Sequence, residues 1–153
     1  MIHRATNVVI YFMKKFFLIN IFFVYLLSTT GLISAQPNNF DEGVKLFNMK
    51  KFDKSKIFFE RDIVFNPKNQ ISYLYLAKIF KNRENDEEQE INLKNVLLLD
   101  PQNDEAIYLL ALLKIKQSDY KKSKELIEQF NLVCKTFCNK KDEINKKFSK
   151  LTP

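Results

Sequence analysis

The chain has 153 residues, of which 46% are hydrophobic and 28% are charged, so we expect one globular domain with an apolar core. It has only two glycines, Gly31 and Gly43, and no Asn-Gly or Asp-Gly pair, which leaves little to build tight β-hairpins. We therefore predict an all-α fold. The only histidine, His3, lies within the first 35 residues. A chain without those residues could not use a histidine for nucleophilic catalysis or for metal binding.

Part of the net charge of +7 comes from an N-terminal segment without acidic residues. Residues 1–35 hold three of the 25 basic side chains and none of the 18 acidic ones, so the rest of the chain carries a net charge of +4. This mild basicity is not typical of a nucleic-acid-binding domain, in which cations form a dense patch. No nucleic-acid partner is therefore expected.

The N terminus has the pattern of a secretory signal peptide. Residues 1–15 carry three cations and no anion, residues 16–27 are apolar except for one asparagine, and small residues lead up to Ala35. We predict cleavage after Ala35 and export to the periplasm or cell envelope of a bacterium. Two alternatives stay open. The segment could be retained as an anchor that extends through Ile33, and translation could begin at Met13.

A short turn signal appears twice, once around Pro67 and once around Pro101. Between the two prolines, two runs with helical periodicity flank the polar segment 81–86. Helix, turn, helix and a proline-containing turn make up one period of a helical repeat, and we call the interval from Pro67 to Pro101 the repeat period. When the same period is applied to the sequence before Pro67 and after Pro101, it predicts a repeat domain over residues 36–153. Its units are 36–69, 70–103 and 104–137, followed by a lysine-rich capping helix at about 138–151.

The predicted units resemble tetratricopeptide repeats (TPRs), which are helix-turn-helix modules of about 34 residues with a small residue where the two helices cross. The residues that carry the resemblance, over about residues 39–133, are Gly43, Phe52, Ser55, Phe59 and Pro67 in the first unit, Tyr73, Leu76, Ala77, Phe80 and Pro101 in the second, and Leu110, Ala111, Tyr120 and Ser123 in the third. Asp62 and Gln89 depart from the pattern, because small residues are usual at both positions. The resemblance implies an α-solenoid of about three repeats.

The resemblance also implies a candidate binding site. In this family the first helices of successive units line a concave groove that receives a peptide. Here the groove would present Phe47, Tyr75, Lys78, Lys81, Tyr108, Leu112 and Ile115. Val44 and Leu112 stand where asparagine is required, so the residue set that clamps a terminal carboxylate in chaperone-binding members is not reproduced. The alternative is that several apolar residues of this face pack against the N-terminal tail or the capping helix.

Cys134 and Cys138 are the two cysteines of the chain and lie four residues apart. In an exported chain such a pair suggests a disulfide, which forms more easily if a turn rather than an unbroken helix joins the two residues. Two unpaired cysteines in the core are the alternative. A metal or redox role is not predicted, because the pair comes without a histidine or a second cysteine pair.

The sequence contains no phosphate-binding glycine loop, no zinc-protease motif and no serine-hydrolase motif. We therefore expect a non-catalytic interaction module of the bacterial envelope, with no cofactor and no metal, that binds a protein or peptide partner in its groove. Membrane contact is expected only through an uncleaved N-terminal segment. The alternative is a structural unit that self-associates through the apolar residues of its first helices.

Overall fold

The structure, a computed structural model, describes residues 38–151 together with Met13, Lys15 and Phe16. The predicted signal peptide, residues 1–35, otherwise lies outside the described residues. Residues 38–151 form seven α-helices and one 3-10 helix and contain no strand. The helices are α1 (Asn39–Asn48), α2 (Phe52–Phe65), α3 (Gln70–Asn82), α4 (Asp86–Leu99), α5 (Asp104–Lys116), α6 (Tyr120–Val133) and α7 (Lys141–Ser149), with the 3-10 helix Cys138–Lys140 before α7.

The helices α1 to α6 form three pairs, and each pair is one repeat. Five of these six helices begin behind a side chain that accepts a hydrogen bond from a backbone amide of the first turn, which satisfies an otherwise unpaired donor. These side chains belong to Asn38, Asn69, Asn85, Asn103 and Asp119. The regular placement of asparagine and aspartate in the sequence therefore determines where the helices begin.

The turn inside each pair contains one residue in the left-handed conformation. Lys50, Glu84 and Ser118 have φ angles of 57°, 56° and 61°, and each is separated from the next by one repeat period. Each allows the next amide to return to the first helix, as in the 2.9 Å hydrogen bond from Asp119 N to Lys114 O. Outside glycine this conformation costs on the order of 1 kcal/mol per residue. Helix packing on both sides of the turn supplies that energy, and so the fold forms with few glycines.

The core lies between the paired helices. At the crossing of α1 and α2, Gly43 leaves room for the Phe59 ring, because a Cβ atom at residue 43 would come within 2.9 Å of it. Ala77 and Ala111 take the equivalent positions in α3 and α5 and are fully buried. A larger hydrophobic cluster continues from α3 to α7, where Ile144 is fully buried. The capping helix therefore shares one core with the third repeat.

Asp62, which replaces the small residue usual at its position, joins the first two repeats. Its buried carboxylate accepts hydrogen bonds from Asn66 Nδ2, Asn69 Nδ2 and Ser72 Oγ at 2.9, 2.7 and 2.5 Å. Ser72 belongs to α3, so these bonds connect the end of α2 to the next repeat. Burial of this carboxylate is tolerated because its oxygens have partners.

The predicted fold class is confirmed, since residues 38–151 form three consecutive helical pairs and a C-terminal capping helix. Within the part of the chain that the structure describes, no helix combines the length and the apolar character that a membrane span requires. We call the face formed by the first helices α1, α3 and α5 the inner face. The face formed by the second helices α2, α4 and α6 is the outer face.

Candidate functional site

The predicted groove residues of the inner face lie in three different environments, the first of which is an aromatic wall between α1 and α3. Phe47 and Tyr75 are half-buried, and their ring centroids are 4.9 Å apart. Tyr75 also stacks on Phe59 of the core at 4.7 Å. Only part of each of the two rings is therefore left to contact a ligand.

Tyr108 and Ile115 of α5 lie in the second environment, which is the core. Each is only 5% exposed. The Tyr108 ring packs against Phe130 and Phe137, and its hydroxyl donates a 2.9 Å hydrogen bond to Glu143 of α7. Burial and this bond to a carboxylate raise the pKa of Tyr108 to about 12. For Tyr108 the packing alternative applies, because it contacts the capping segment, and Ile115 is likewise buried in the core and not open to a ligand.

Lys78, in the middle of α3, is engaged within the protein. Its ammonium group lies 2.6 Å from the Glu105 carboxylate and 5.3 Å from the centre of the Tyr75 ring. The ion pair connects α3 to α5 across the inner face. A ligand carboxylate would have to compete with Glu105 for this cation, so Lys78 does not offer free positive charge.

Lys81 is exposed and, together with half-buried Leu112, belongs to the third environment, an open cleft. This cleft, which we call the Lys81 cleft, has a volume of about 300 Å³ and is lined by α3, α5, the start of α4 and the capping helix. Its apolar lining is Leu109, Leu112 and Leu113, and its polar lining is Lys81, Glu84, Asp86, Gln89, Lys116 and Lys147. Apolar surface surrounded by a few polar groups is typical of a site that anchors a peptide side chain.

Two ammonium groups in the lining of the Lys81 cleft make no ion pair with the residues that the structure describes. Lys116 is paired with Asp86 at 2.7 Å. By contrast, none of the ion pairs formed within residues 38–151 includes Lys81 or Lys147. With Glu84, the lining has three cations and two anions. Lys81 and Lys147 therefore provide the positive charge of the cleft that is not in an ion pair, and Lys147 lies close enough to Glu143 of its own helix to help lower the pKa of that carboxyl.

A second opening of about 400 Å³ lies towards the first repeat. It shares Lys81 and Leu109 with the Lys81 cleft. Its other lining residues are Phe47, Lys78, Asn82 and Glu105. Because two residues line both openings, we treat them as one continuous site and call it the inner groove.

The loop between α6 and the capping helix is held by Asp104, the first residue of α5. The Asp104 carboxylate accepts hydrogen bonds from the backbone amides of Lys135, Thr136 and Phe137 at 2.7, 2.6 and 2.9 Å. Thr136 Oγ1 donates a further bond at 2.9 Å. Burial raises the pKa of Asp104, but these hydrogen bonds outweigh it and lower the pKa to about 2. The ionised carboxylate thus fixes the loop that leads into the capping helix.

The same loop is closed by a disulfide. Cys134 and Cys138 are joined with an S–S distance of 2.13 Å, and their Cα atoms are 5.2 Å apart. The helix α6 ends at Val133, so the two cysteines are connected by a turn and not by an unbroken helix. Both the disulfide and the Asp104 hydrogen bonds therefore constrain the position from which the capping helix starts.

Sequence reasoning missed nine of the residues that line the inner groove, and three of them show why. Lys147 reaches the Lys81 cleft from the capping helix, which has no counterpart among the repeats used to transfer groove positions. Lys116 lies one repeat period after Asn82, and both line the groove, so extending the repeat register by one position would have found this pair. Leu109 reaches the groove although it is largely buried, and no sequence signal distinguishes it from the other core leucines.

The inner groove offers groups suited to binding. Its lining provides ammonium, carboxylate and amide groups together with aliphatic and aromatic surface, and it contains no histidine, cysteine, serine or threonine. In the part of the chain that the structure describes, no cluster of histidine, cysteine, aspartate and glutamate is arranged to hold a metal ion. The groove can therefore hold a partner by charge and by apolar contact.

No protein-family model matches the sequence, and no curated protein matches it. Solved structures share its fold. The second TPR domain of human RPAP3, in complex with the HSP70 peptide SGPTIEEVD, is 19% identical with a TM-score of 0.64 and covers 76% of this chain and 93% of its own. The TPR2B domain of yeast Sti1, in a complex with pHsp70, is 16% identical with a TM-score of 0.66. The match covers 72% of this chain and 92% of the Sti1 domain. The Sgt2 TPR domain from Aspergillus fumigatus is 18% identical with a TM-score of 0.62. The match covers 74% of this chain and 78% of the Sgt2 domain.

Proposed function

We propose that this chain, which has the fold of a tetratricopeptide-repeat domain, binds a protein or peptide partner in its inner groove and catalyses no reaction. The observation that carries the proposal is the Lys81 cleft, where unpaired Lys81 and Lys147 stand beside leucines of α5. Domains of the same fold hold partners in related structures, among them the HSP70 peptide bound by human RPAP3. The identity of that peptide is not transferred to this chain.

The lining of the groove favours a partner segment with an apolar side chain next to one or two carboxylates. Leu112 is half-buried, so an apolar side chain that enters the cleft would remove its remaining surface from water. Lys81 and Lys147 can each meet a carboxylate without first breaking an ion pair. Lys78 and Lys116 are already paired within the protein and would contribute less.

We also propose that the chain acts after export, in the periplasm or at the envelope of a bacterium. The signal-like pattern of residues 1–35 supports this location. The disulfide between Cys134 and Cys138 supports it too, because disulfides persist mainly in exported proteins. The N-terminal sequence of the protein isolated from cells tests the proposal. A start at Gln36 in the periplasmic fraction supports it, and an intact N terminus in the cytosolic fraction contradicts it.

Self-association through the first helices has less support. Tyr108 and Ile115 are buried, and Phe47 and Tyr75 pack against each other, so the inner face exposes little apolar surface. The unpaired lysines of the groove would also repel those of a second copy at close range.

Affinity capture from a bacterial envelope extract tests the groove. The bait is the wild-type chain or a variant with Lys81→Glu and Lys147→Glu. The matched control carries Lys51→Glu and Lys54→Glu, which reverse two exposed lysines that lie outside the groove and make no ion pair within residues 38–151. We expect the groove variant to lose captured partner by about tenfold, because the reversed charges repel a ligand carboxylate, and the control to keep it. Equal capture by the wild type and the groove variant, measured by mass spectrometry, would contradict the proposal.

A further inference from the structure

Three aliphatic side chains form an exposed row on the outer face. Val64, Leu98 and Leu132 are 75%, 80% and 86% exposed. Each is separated from the next by one repeat period, and they lie near the C-terminal ends of α2, α4 and α6. The three residues therefore occupy the same position in successive repeats. We call them the outer stripe.

An exposed leucine by itself is ordinary on a protein surface. The outer stripe differs from a single exposed leucine because its residues occupy the same position in three neighbouring helices. Side chains at equivalent positions of packed helices form a row across the face. Ile57 and Ile91, two turns earlier in α2 and α4, are also about half exposed and widen the apolar area. Exposed apolar side chains that recur at one position of a repeat are typical of a contact surface.

The charges beside the outer stripe differ between its two ends. In the first repeat Arg61 makes no ion pair with residues 38–151 and lies over the Phe58 ring at 5.7 Å. In the third repeat Glu128 likewise makes no ion pair with those residues. The other charged neighbours of the stripe on these helices, Glu60, Lys94 and Glu125, are each paired with a residue of their own helix. Among the charged side chains one turn before the stripe residues, the one outside the ion pairs of residues 38–151 is therefore a cation, Arg61, at one end and an anion, Glu128, at the other. Lys124, one turn further from the stripe than Glu128, is also exposed and outside these ion pairs.

We propose that the outer stripe binds a second copy of this chain about a two-fold axis that runs parallel to α4. This symmetry places Leu98 against Leu98 of the partner subunit and Val64 against Leu132 of the partner subunit. The order of the repeats is reversed between the two copies, while the second helices run in the same direction. The apolar row is therefore complementary to itself.

The same symmetry brings the charges of Arg61 and Glu128 together. Arg61 precedes Val64 by three residues, and Glu128 precedes Leu132 by four, so the two lie at the same height along their helices but on opposite sides of the stripe. A two-fold axis along the helices reverses the sides. Arg61 therefore meets Glu128 of the partner subunit, and the pair forms twice in each dimer.

The charge pattern favours a second copy over a membrane or an unrelated protein. A surface that binds anionic lipid needs cations along its whole length, whereas Glu128 and Glu125 lie at one end of this stripe. An unrelated partner would not require the two ends to match each other in charge. The stripe has only three side chains, whereas a standard interface buries about 800 Å² and roughly 20–30 residues per partner. The dimer is therefore weak and depends on concentration.

Photo-cross-linking in cells tests this dimer with the full chain. A photoreactive phenylalanine derivative replaces Leu98, whose exposure allows the exchange without disturbing the core. We expect an adduct of twice the mass of the chain. Arg61→Glu and Glu128→Arg, each alone, place like charges together at both ends and should lower the yield of that adduct by about tenfold.

The two charge reversals also provide a rescue. A chain with both substitutions regains the pair with reversed sign, and the two single variants, co-expressed with different tags, should cross-link to each other. Lys45→Glu on α1 is the matched control and should leave the yield unchanged. Adducts with lipid or with an unrelated protein, or equal yields from all variants, would overturn the proposal. Circular dichroism of each variant verifies that the helices are intact.

Discussion

The inner and outer faces of the helical stack differ in which of their apolar side chains meet water. On the inner face Tyr108 and Ile115 are large and apolar but buried. On the outer face Val64, Leu98 and Leu132 are at least three-quarters exposed. The difference teaches that position in the repeat, and not hydrophobicity, determines which side chains are available to a partner. The inner groove then depends mainly on its lysines, and the outer face on its aliphatic row.

The two faces differ in this way because the loop and the capping helix that follow the third repeat pack against the inner face at Tyr108. Asp104 holds the loop of residues 135–137, and the capping helix follows with Ile144 in the core and Glu143 on the Tyr108 hydroxyl. The outer face has no comparable covering segment within residues 38–151. Each of the following substitutions therefore tests one side of this contrast.

Tyr108→Ala should have the largest effect on stability. It removes a buried ring that contacts α6 and the capping loop, and such truncations cost about 3–5 kcal/mol. Urea unfolding of residues 36–153 measures the loss. Tyr108→Phe keeps the ring and removes only the bond to Glu143, so it should cost about 1 kcal/mol. A negligible loss for Tyr108→Ala would mean that this side chain belongs to the open groove.

Asp104→Asn should cost about 2 kcal/mol at neutral pH, the free energy that corresponds to a pKa of about 2 in the fold against 3.8 for the ordinary group. The pKa is lowered by folding, so this stability is fully present above pH 3.8 and is lost as the pH falls towards 2. The difference between wild type and variant should therefore shrink over that interval. Urea midpoints measured from pH 7 to pH 2 test this, and a constant difference would contradict it.

Gly43→Ala should destabilise the first repeat by about 1 kcal/mol. Alanine gains about 1 kcal/mol in helix propensity over glycine, but its Cβ would lie 2.9 Å from the buried Phe59 ring, and overpacking of that kind costs about 1–3 kcal/mol. Thermal unfolding measures the net change. The variant Gly43→Ala with Phe59→Leu relieves the close approach, so it should be less destabilised than the sum of the two single variants.

Leu98→Ser and Leu132→Ser should have the smallest effect, below about 0.5 kcal/mol, because exposed side chains away from special features contribute little to the free energy of unfolding. Urea unfolding at low protein concentration, where a weak dimer is dissociated, is the measurement. A loss comparable to that of Tyr108→Ala would show that the outer stripe is covered by the chain itself.

The helical pairs could be predicted because their signals are local. Pro67 and Pro101 mark the repeat period, and side chains such as Asn69 and Asn103 mark where helices begin. The turns could be placed but not explained, since Lys50 adopts a left-handed conformation that the sequence around it does not favour.

The environment of the groove residues could not be predicted, because it depends on contacts between distant parts of the chain. The buried Tyr108 ring packs against Phe130 and Phe137, and its hydroxyl donates to Glu143, which belongs to the capping helix and not to a repeat. The spacing of Cys134 and Cys138 left the disulfide undecided, since its geometry depends on where α6 ends. Asp104 helps to set that end from the start of α5, and nothing in its local sequence indicates this role.

Site-specific cross-linking from both faces tests the central contrast most directly. The photoreactive residue is placed at Asn82, which lines the inner groove, or at Leu98 in the outer stripe, and adducts formed in cells are identified by mass spectrometry. The two-face account predicts a different protein bound at Asn82 and a second copy of this chain bound at Leu98. The same adduct from both positions would contradict it, because one partner would then occupy both faces.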